Sequence, residues 1–195
     1  MVKTKIAVLV SGGGTNLQAL LDAQAAGQIS HGEITLVVSN KEGAYALTRA
    51  EKAGVATAVI TGKDFESRLM EVLQSNGIQM IVLAGFMKIL SAGFTSRWPD
   101  RILNIHPALI PSFCGKGYYG LRVHEEALRY GVKVTGATVH FVNEIPDGGE
   151  IIAQKAVDIQ EGDTPEILQR RVMEQAEWIL LPQATEMVAK MYCAE

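Results

Sequence analysis

The chain has 195 residues, which is enough for one sizeable domain and awkward for two. Its composition is that of an ordinary globular protein, with 48% hydrophobic residues, 20% charged residues and a formal net charge of −3. This slight acidity, without any run of Lys or Arg, argues against a nucleic-acid partner. Apolar stretches such as residues 81–90 are too short to span a bilayer and contain Lys88, so no membrane partner is expected.

Two features predict a cytoplasmic location. The N-terminal segment MVKTKIAVLVS lacks the basic, apolar and cleavage regions of a signal peptide. Cys114 and Cys193 have no CxxC spacing, and we expect both to remain reduced thiols.

Most of the chain alternates between strand-like and helical patterns. Residues 4–10 contain apolar residues without alternation from Ile6 to Val10, which is typical of a fully buried strand, and helical spacing from Leu17 to Ala25 follows, with a stop at Gly27. The same patterns predict strands at 33–39, 57–60, 80–85 and 102–105, and helices at 44–53 and from Phe65 to about Asn76. This alternation predicts a Rossmann-like α/β fold, with a mostly parallel sheet covered by helices on both faces.

The last third of the chain follows a different pattern. Two strand-like segments, 134–142 and 150–159, are separated by the loop NEIPDGG and predict an antiparallel hairpin. Thr164-Pro165-Glu166 predicts the start of a final helix, because it combines a capping hydroxyl, a first-turn proline and an acid near the helix dipole. No linker or repeat interrupts the sequence, so residues 1–195 are expected to form one domain.

A glycine-rich turn, SGGGTN, lies between the first strand and the first helix. Such a turn can simply be tight, or it can bring backbone N–H groups and a helix N-terminus to a phosphate. A dinucleotide site would require a third glycine where Leu17 stands, and an acid where the second strand ends in Ser39-Asn40. No GK[ST] motif for a nucleoside triphosphate is present. These features favour a single phosphate on a small molecule.

Asn104 and His106 are predicted to lie side by side where the fifth strand ends at Pro107. Residues two apart in a strand point to the same face, and this strand end lies on the same rim of the sheet as the glycine turn. An amide and an imidazole can together donate hydrogen bonds to an oxyanion that develops on a carbonyl. A hydrogen-bonded core histidine is the plain structural alternative for His106.

Other histidines and acids leave alternatives open. His31 and His124 are expected to be solvated, whereas His140 is either a structural strand residue or a pocket wall. A carboxylate near the site would favour a protonated imidazole, and the hairpin loop offers Glu144 and Asp147. Asp147 can equally be an Asp-Gly turn residue. The Cys and His residues have no metal-ligand spacing, and no GxSxG elbow is present, so neither a metal nor a serine nucleophile is expected.

Four ordered motifs resemble one family of enzymes. The segments VLVSGGGTNLQAL, VLAGFMKIL, LNIHPALIPSF and GATVHFVNEIPDGGEII are similar to those of the glycinamide ribonucleotide formyltransferases, over nearly the whole chain. The resemblance implies the formyltransferase fold and transfer of a formyl group from 10-formyltetrahydrofolate to the amine of glycinamide ribonucleotide, in purine (IMP) synthesis. It implies two small-molecule substrates and no metal; a monomer and a homodimer are both open.

The resemblance also implies roles for individual residues. Asn104 and His106 would stabilise the tetrahedral intermediate, with His106 as proton donor, and Asp147 would keep His106 protonated. The remaining roles concern binding: Gly14, Thr15, Asn16 and Glu177 for glycinamide ribonucleotide, and Met87, Lys88, Ile89, Leu90, Asn104, Val142, Asn143, Glu144, Ile145, Pro146 and Asp147 for the folate.

Three departures from the family pattern stand out. The loop 114–120, CGKGYYG, is longer than the family's short turn and is expected to border the folate site. A folate-contacting arginine of some members aligns with Gly62, and the neighbouring Lys63 is the candidate substitute, without the bidentate fork. The last helix carries one extra residue before Glu177, which keeps Glu174 as a weaker candidate.

Rival functions remain open at this point. A 10-formyltetrahydrofolate hydrolase would use water as acceptor and a methionyl-tRNA formyltransferase would modify a nucleic acid; the extra domain that each carries is not expected from this chain. A non-catalytic sensor of a phosphorylated metabolite would fit the glycine turn equally well, but it leaves Asn104, His106 and the Asp-bearing loop unexplained. An oxidoreductase is excluded by the missing third glycine and the missing acid.

Overall fold

A mixed sheet forms the centre of the computed structural model, which describes residues 2–193. Its strands within that range are β1 (Thr4–Val10), β2 (Gly32–Ser39), β3 (Ala56–Val59), β4 (Met80–Leu83), β5 (Ile102–His106), β6 (Val134–Phe141) and β7 (Ile151–Asp158). They follow the order β3-β2-β1-β4-β5-β6-β7 across the sheet. The first five are parallel, and β6 and β7 are antiparallel additions at one edge. The predicted fold class and hairpin are confirmed.

Helices cover both faces of this sheet. Their bounds are α1 (Thr15–Ala25), α2 (Tyr45–Lys52), α3 (Phe65–Ser75), α4 (Ala92–Thr95), α5 (Leu121–Tyr130), α6 (Pro165–Val172) and α7 (Trp178–Tyr192). None of the helices in the described range is both long and apolar enough to cross a bilayer. Cys114 and Cys193 do not form a disulfide.

The unbroken apolar run of β1 is explained by burial on both faces. Ile6 and Val8 belong to the larger core cluster, together with residues of α1 and α7. Ala7 and Leu9 point to the opposite face and belong to a second cluster, with residues of α3. All four side chains are fully buried, so neither face of the strand needs polar residues.

The last helices contain one irregular turn. Thr164 caps α6 as predicted, because its hydroxyl accepts the Ile167 N–H at 3.3 Å. Residues Met173–Glu177 then form a π-helical turn before α7. A π-helical turn contains more residues than an α-helical turn, so it absorbs the extra residue that the sequence places before Glu177.

His124 is buried, and its predicted solvation is therefore wrong. The residue lies on α5, on the same side as the buried Val123 and Ala127, and is 0% exposed. Neither ring nitrogen has a hydrogen-bond partner among the described residues. The His31 ring contacts an acid, because its Nδ1 lies 2.5 Å from Glu186 Oε1.

Lowering the pH is expected to destabilise the fold through His124. Burial, assisted by the nearby His106, lowers the pKa of His124 from 6.5 to about 4. The unfolded chain therefore takes up a proton at a higher pH than the folded chain. Stability due to the neutral ring is present above about pH 6.5 and is lost as the pH falls toward about 4. We expect this residue alone to lower the free energy of unfolding by about 2 kcal/mol between about pH 7 and about pH 5.

Urea unfolding of the wild type and of His124→Leu at both pH values measures this effect. Leucine keeps the site apolar and does not titrate. The variant should therefore lose about 2 kcal/mol less than the wild type over the same interval. An equal loss in the two proteins would contradict a buried, neutral His124.

Candidate active site

A cavity of about 710 Å³ opens where β1, β4 and β5 end. Most of the residues that the sequence assigns to the site lie in its wall. They are Asn16, Met87, Lys88, Ile89, Leu90, Asn104, His106, Val142, Asn143, Ile145, Pro146, Asp147 and Glu177. The carboxyl ends of parallel strands thus bring together segments that are far apart in the chain, as expected for an open α/β sheet.

Four of the predicted site residues do not line this cavity. Gly14 is the N-cap residue of α1, and Thr15 lines a separate cavity of about 470 Å³ beside Trp178. Glu144 and Lys63 are exposed, and Lys63 lies in the turn before α3. The structure therefore brings neither charged side chain into the cavity.

Asp147 lies at the centre of the polar contacts in the cavity. Its Oδ1 accepts a hydrogen bond from Asn104 Nδ2 at 3.5 Å and lies 3.5 Å from His140 Nε2. Its Oδ2 accepts the Gly115 N–H at 2.8 Å and lies 3.5 Å from His106 Nδ1. The backbone of Asp147 has a φ of 56°, in the left-handed region, which turns this side chain inward. The Asp-Gly turn and the carboxylate that faces His106 are therefore one and the same feature.

Asp147 remains a carboxylate at neutral pH. Burial raises the pKa of Asp147, but the nearby His140 ring, the positive charge that His106 carries when protonated and the Gly115 amide together hold it below its usual value. The ionised side chain is thus stabilised by its neighbours in spite of its partial loss of water.

His106 is buried between two acceptors. Its Nε2 donates to the Phe113 carbonyl at 2.8 Å, while its Nδ1 faces Asp147. Burial lowers the pKa of His106, and the opposing effect of Asp147 and the Phe113 carbonyl is smaller, so the pKa falls below 6.5. Asp147 acts in the direction that the resemblance implies, because its charge raises the pKa of His106, but the effect of burial on that pKa is larger.

His140 proves to be a wall of the cavity rather than only a strand residue. It lies opposite Asn104 in the antiparallel pair of β5 and β6. Its Nδ1 donates to the Phe141 carbonyl at 2.7 Å, so a neutral ring presents an unprotonated Nε2. Asn104 Nδ2 donates to that nitrogen at 3.2 Å. The ring therefore fixes the orientation of the Asn104 amide.

The glycine turn leaves backbone donors free at the start of α1. Gly14 has a φ of 75° and provides no side-chain cap. The first helical hydrogen bond runs from the Gln18 N–H to the Gly14 carbonyl at 2.9 Å, so the three preceding amides have no helical partner. These N–H groups and the helix dipole suit an anion.

Asn16 and Glu177 form a buried pair at the side of the cavity. Asn16 Nδ2 donates to Glu177 Oε2 at 2.6 Å, and Asn16 Oδ1 has no partner among the described residues. Burial raises the pKa of Glu177 to about 6, although the Asn16 hydrogen bond opposes the shift. Glu174 is instead exposed and lies near Arg170, with 3.7 Å between Oε1 and Nε. The π-helical turn thus directs Glu177, and not Glu174, into the cavity.

Loop 114–120, which the resemblance places at the border of the folate site, contributes to the wall of the cavity. Lys116, Tyr118 and Tyr119 are among the lining residues. Sequence reasoning missed the neighbouring contacts of the Phe113 carbonyl and the Gly115 amide, because backbone groups carry no sequence signal. It also missed His124, which lines the same cavity; its helical spacing from Ala127 was the available signal.

No cluster of three or more His, Cys, Asp or Glu side chains that could hold a metal ion occurs in residues 2–193. The polar groups that line the cavity can donate hydrogen bonds, transfer protons and stabilise charge.

Gly14 is expected to be irreplaceable for steric reasons. Alanine there would adopt a left-handed backbone, and its Cβ would lie 2.6 Å from Ala46 Cβ. Gly12 is the matched control, since a Cβ there meets nothing within 4 Å. We expect Gly14→Ala to lower the free energy of unfolding by about 1–3 kcal/mol and Gly12→Ala by much less, as measured by urea denaturation. Equal stabilities of the two variants would contradict the close packing of the turn on α2.

Comparison with known proteins gives a consistent result. Residues 4–185 match the family model described as formyl transferase. The chain is 45% identical to phosphoribosylglycinamide formyltransferase of Haemophilus influenzae over 88% of the chain and 81% of that protein. It is 48% identical to the trifunctional purine biosynthetic protein adenosine-3 of Gallus gallus, but it spans only 18% of the length of that relative.

Solved structures agree with these relatives. Phosphoribosylglycinamide formyltransferase from Brucella melitensis has a TM-score of 0.87 and 40% identity, with 96% of each chain covered. Glycinamide ribonucleotide transformylase 1 from Symbiobacterium toebii has a TM-score of 0.89 and 41% identity, with 97% of this chain and 89% of that chain covered. The chain therefore belongs to the formyl transferase family and, within it, to the phosphoribosylglycinamide formyltransferases.

Proposed function

We propose that the chain transfers the formyl group of 10-formyltetrahydrofolate to the amine of glycinamide ribonucleotide, in de novo purine synthesis. The products are the N-formyl compound and tetrahydrofolate. The observation that carries the proposal is the convergence of three groups in one cavity: Asp147 lies 3.5 Å from both Asn104 Nδ2 and His106 Nδ1. The name of the relatives supports the choice of substrate.

The ribose phosphate is assigned to the start of α1. Gly14, Thr15 and Asn16 form the turn there, where the amides of residues 15–17 have no helical partner, and the carboxyl of Glu177 lies beside Asn16 in the cavity wall. Asn16 Oδ1 and Glu177 are therefore the groups that we assign to the glycinamide part of the substrate. A single phosphate satisfies the helix terminus without the extra glycine and acid of a dinucleotide site.

The folate is assigned to the opposite part of the cavity. Segment 87–90 exposes Met87 and Ile89, which are 49% and 70% exposed and able to contact an apolar ligand. Loop 142–147 closes the other side, and Lys88 lines the same space. Lys63, outside the cavity, is the weakest of the proposed contacts.

The proposed reaction begins when the amine nitrogen attacks the formyl carbon and the new C–N bond forms. The π electrons of the carbonyl move to the formyl oxygen, where the Asn104 N–H, and the imidazolium of His106 once it has taken up a proton, stabilise the negative charge. The intermediate then collapses and the bond from carbon to folate N10 breaks. His106 takes the proton of the attacking amine and donates it to N10, and Asp147 stabilises the imidazolium that forms in between.

Several further features of the protein are part of the proposal. The reaction as proposed uses no metal, because hydrogen bonds and proton transfer supply all its steps. Residues 1–195 are proposed to be one catalytic domain. The partners are small molecules, without nucleic acid or membrane, the protein is a monomer or homodimer, and its location is the cytoplasm.

Release of tetrahydrofolate from a 10-formylfolate donor, followed by absorbance, tests the proposed function. We expect turnover only when glycinamide ribonucleotide is present. Donor breakdown without the nucleotide would indicate the rival hydrolase, in which water accepts the formyl group. No consumption under either condition would contradict enzymatic formyl transfer and leave a phosphate-binding protein.

Asp147→Asn should lower kcat by about 100-fold or more and change KM by less than about threefold. Asparagine keeps the size of the side chain but removes the charge that stabilises protonated His106. Glu150→Gln is the control, because it also replaces a carboxylate by an amide, on an exposed side chain near the loop. This variant should retain activity. Initial-rate kinetics with both substrates measure the effect, and an unchanged kcat in Asp147→Asn would remove Asp147 from the mechanism.

A further inference from the structure

Ser11 connects the turn after β2 to the cavity-lining segment 87–90 through one buried hydroxyl. It lies between the end of β1 and Gly12, and it is only 5% exposed. Its Oγ donates to Asn40 Oδ1 at 2.6 Å and accepts the Met87 N–H at 2.8 Å. The hydroxyl thus uses its single proton on one partner and a lone pair on the other, which fixes its direction.

These contacts connect the carboxyl ends of three neighbouring strands. Asn40 follows β2, Ser11 follows β1 and Met87 comes shortly after β4, in the spatial order β2-β1-β4. Asn40 stands where a dinucleotide enzyme requires an acid, and the sequence offers no role for an amide there. The structure supplies one, because the amide oxygen holds the Ser11 hydroxyl.

Segment 87–90 depends on few other anchors. Within the described part of the chain, no amide of residues 85–90 donates to a backbone carbonyl. The hydrogen bond to Ser11 holds the segment at Met87, Lys88 Nζ lies 4.4 Å from the centre of the Phe65 ring, and the side chain of Leu90, which is 4% exposed, is buried in the core. Among the described residues, the bond to Ser11 is thus the one hydrogen bond that a backbone amide of segment 87–90 donates.

We propose that Ser11 is a positioning residue that fastens the folate-binding segment 87–90 to the glycine turn that binds the ribose phosphate. It holds the two substrate subsites at a constant separation. The inference rests on the proposed function, since it assigns the folate to segment 87–90. Without the hydroxyl, the Met87 amide loses its acceptor and the segment loses its link to the turn.

Kinetics of Ser11→Ala and of a matched variant test the inference. Ser39→Ala is the control, because Ser39 is also a buried serine at a strand end, but its hydroxyl bonds only to Lys41 of its own turn. We expect Ser11→Ala to raise KM for 10-formyltetrahydrofolate about fivefold to tenfold, with a smaller change in kcat. We expect Ser39→Ala to change that KM by less than about twofold.

Two further measurements distinguish a failure of the Ser11 proposal from a folding defect and from a failure of the proposed function. If Ser11→Ala does not fold, Asn40→Ala keeps the serine and removes its partner, and it should raise the same KM about twofold to fivefold. If the wild type shows no turnover that depends on glycinamide ribonucleotide, the proposed function fails. Calorimetry then measures the affinity for tetrahydrofolate, and so tests segment 87–90 without turnover. Unchanged folate KM or affinity in the folded variants, or an equal effect of Ser39→Ala, would overturn the role of Ser11.

Discussion

A carboxylate that has lost most of its water must find donors in the protein, and this requirement organises the whole site. Asp147 meets it with two donors, the Asn104 amide and the Gly115 N–H, while the rings of His106 and His140 each lie 3.5 Å away. The arrangement fixes the directions of the donors as much as it stabilises the charge. Formation of imidazolium on His106 during formyl transfer is then favoured by a group that is already in place.

The parallel part of the sheet explains how a few short segments form the candidate site. Strand ends bring the glycine turn, segment 87–90 and the Asn104/His106 pair to one rim, where Asn16 and segment 87–90 line different parts of one cavity. The antiparallel strand β6 adds His140 opposite Asn104, which a continued parallel sheet would not provide. The change of strand direction thus coincides with the proposed catalytic centre.

Much of this arrangement could be predicted from the sequence, because it follows from local patterns. Residues 4–10 are apolar on both faces and so predict a buried parallel strand, and alternation in β5 predicts that Asn104 and His106 share a face. The pKa of His106 could not be predicted, since it depends on how deeply the folded chain buries the ring. The inward direction of Glu177 depends on a π-helical turn, which shows in the sequence only as one extra residue.

The most direct test of this site is an NMR titration of the His106 ring in the wild type and in Asp147→Asn. Burial should place the pKa of His106 below 6.5 in the wild type. Loss of the neighbouring negative charge should lower that pKa further in the variant. The same pKa in both proteins would contradict the electrostatic pairing of His106 with Asp147, and with it the proposed role of Asp147 in proton transfer.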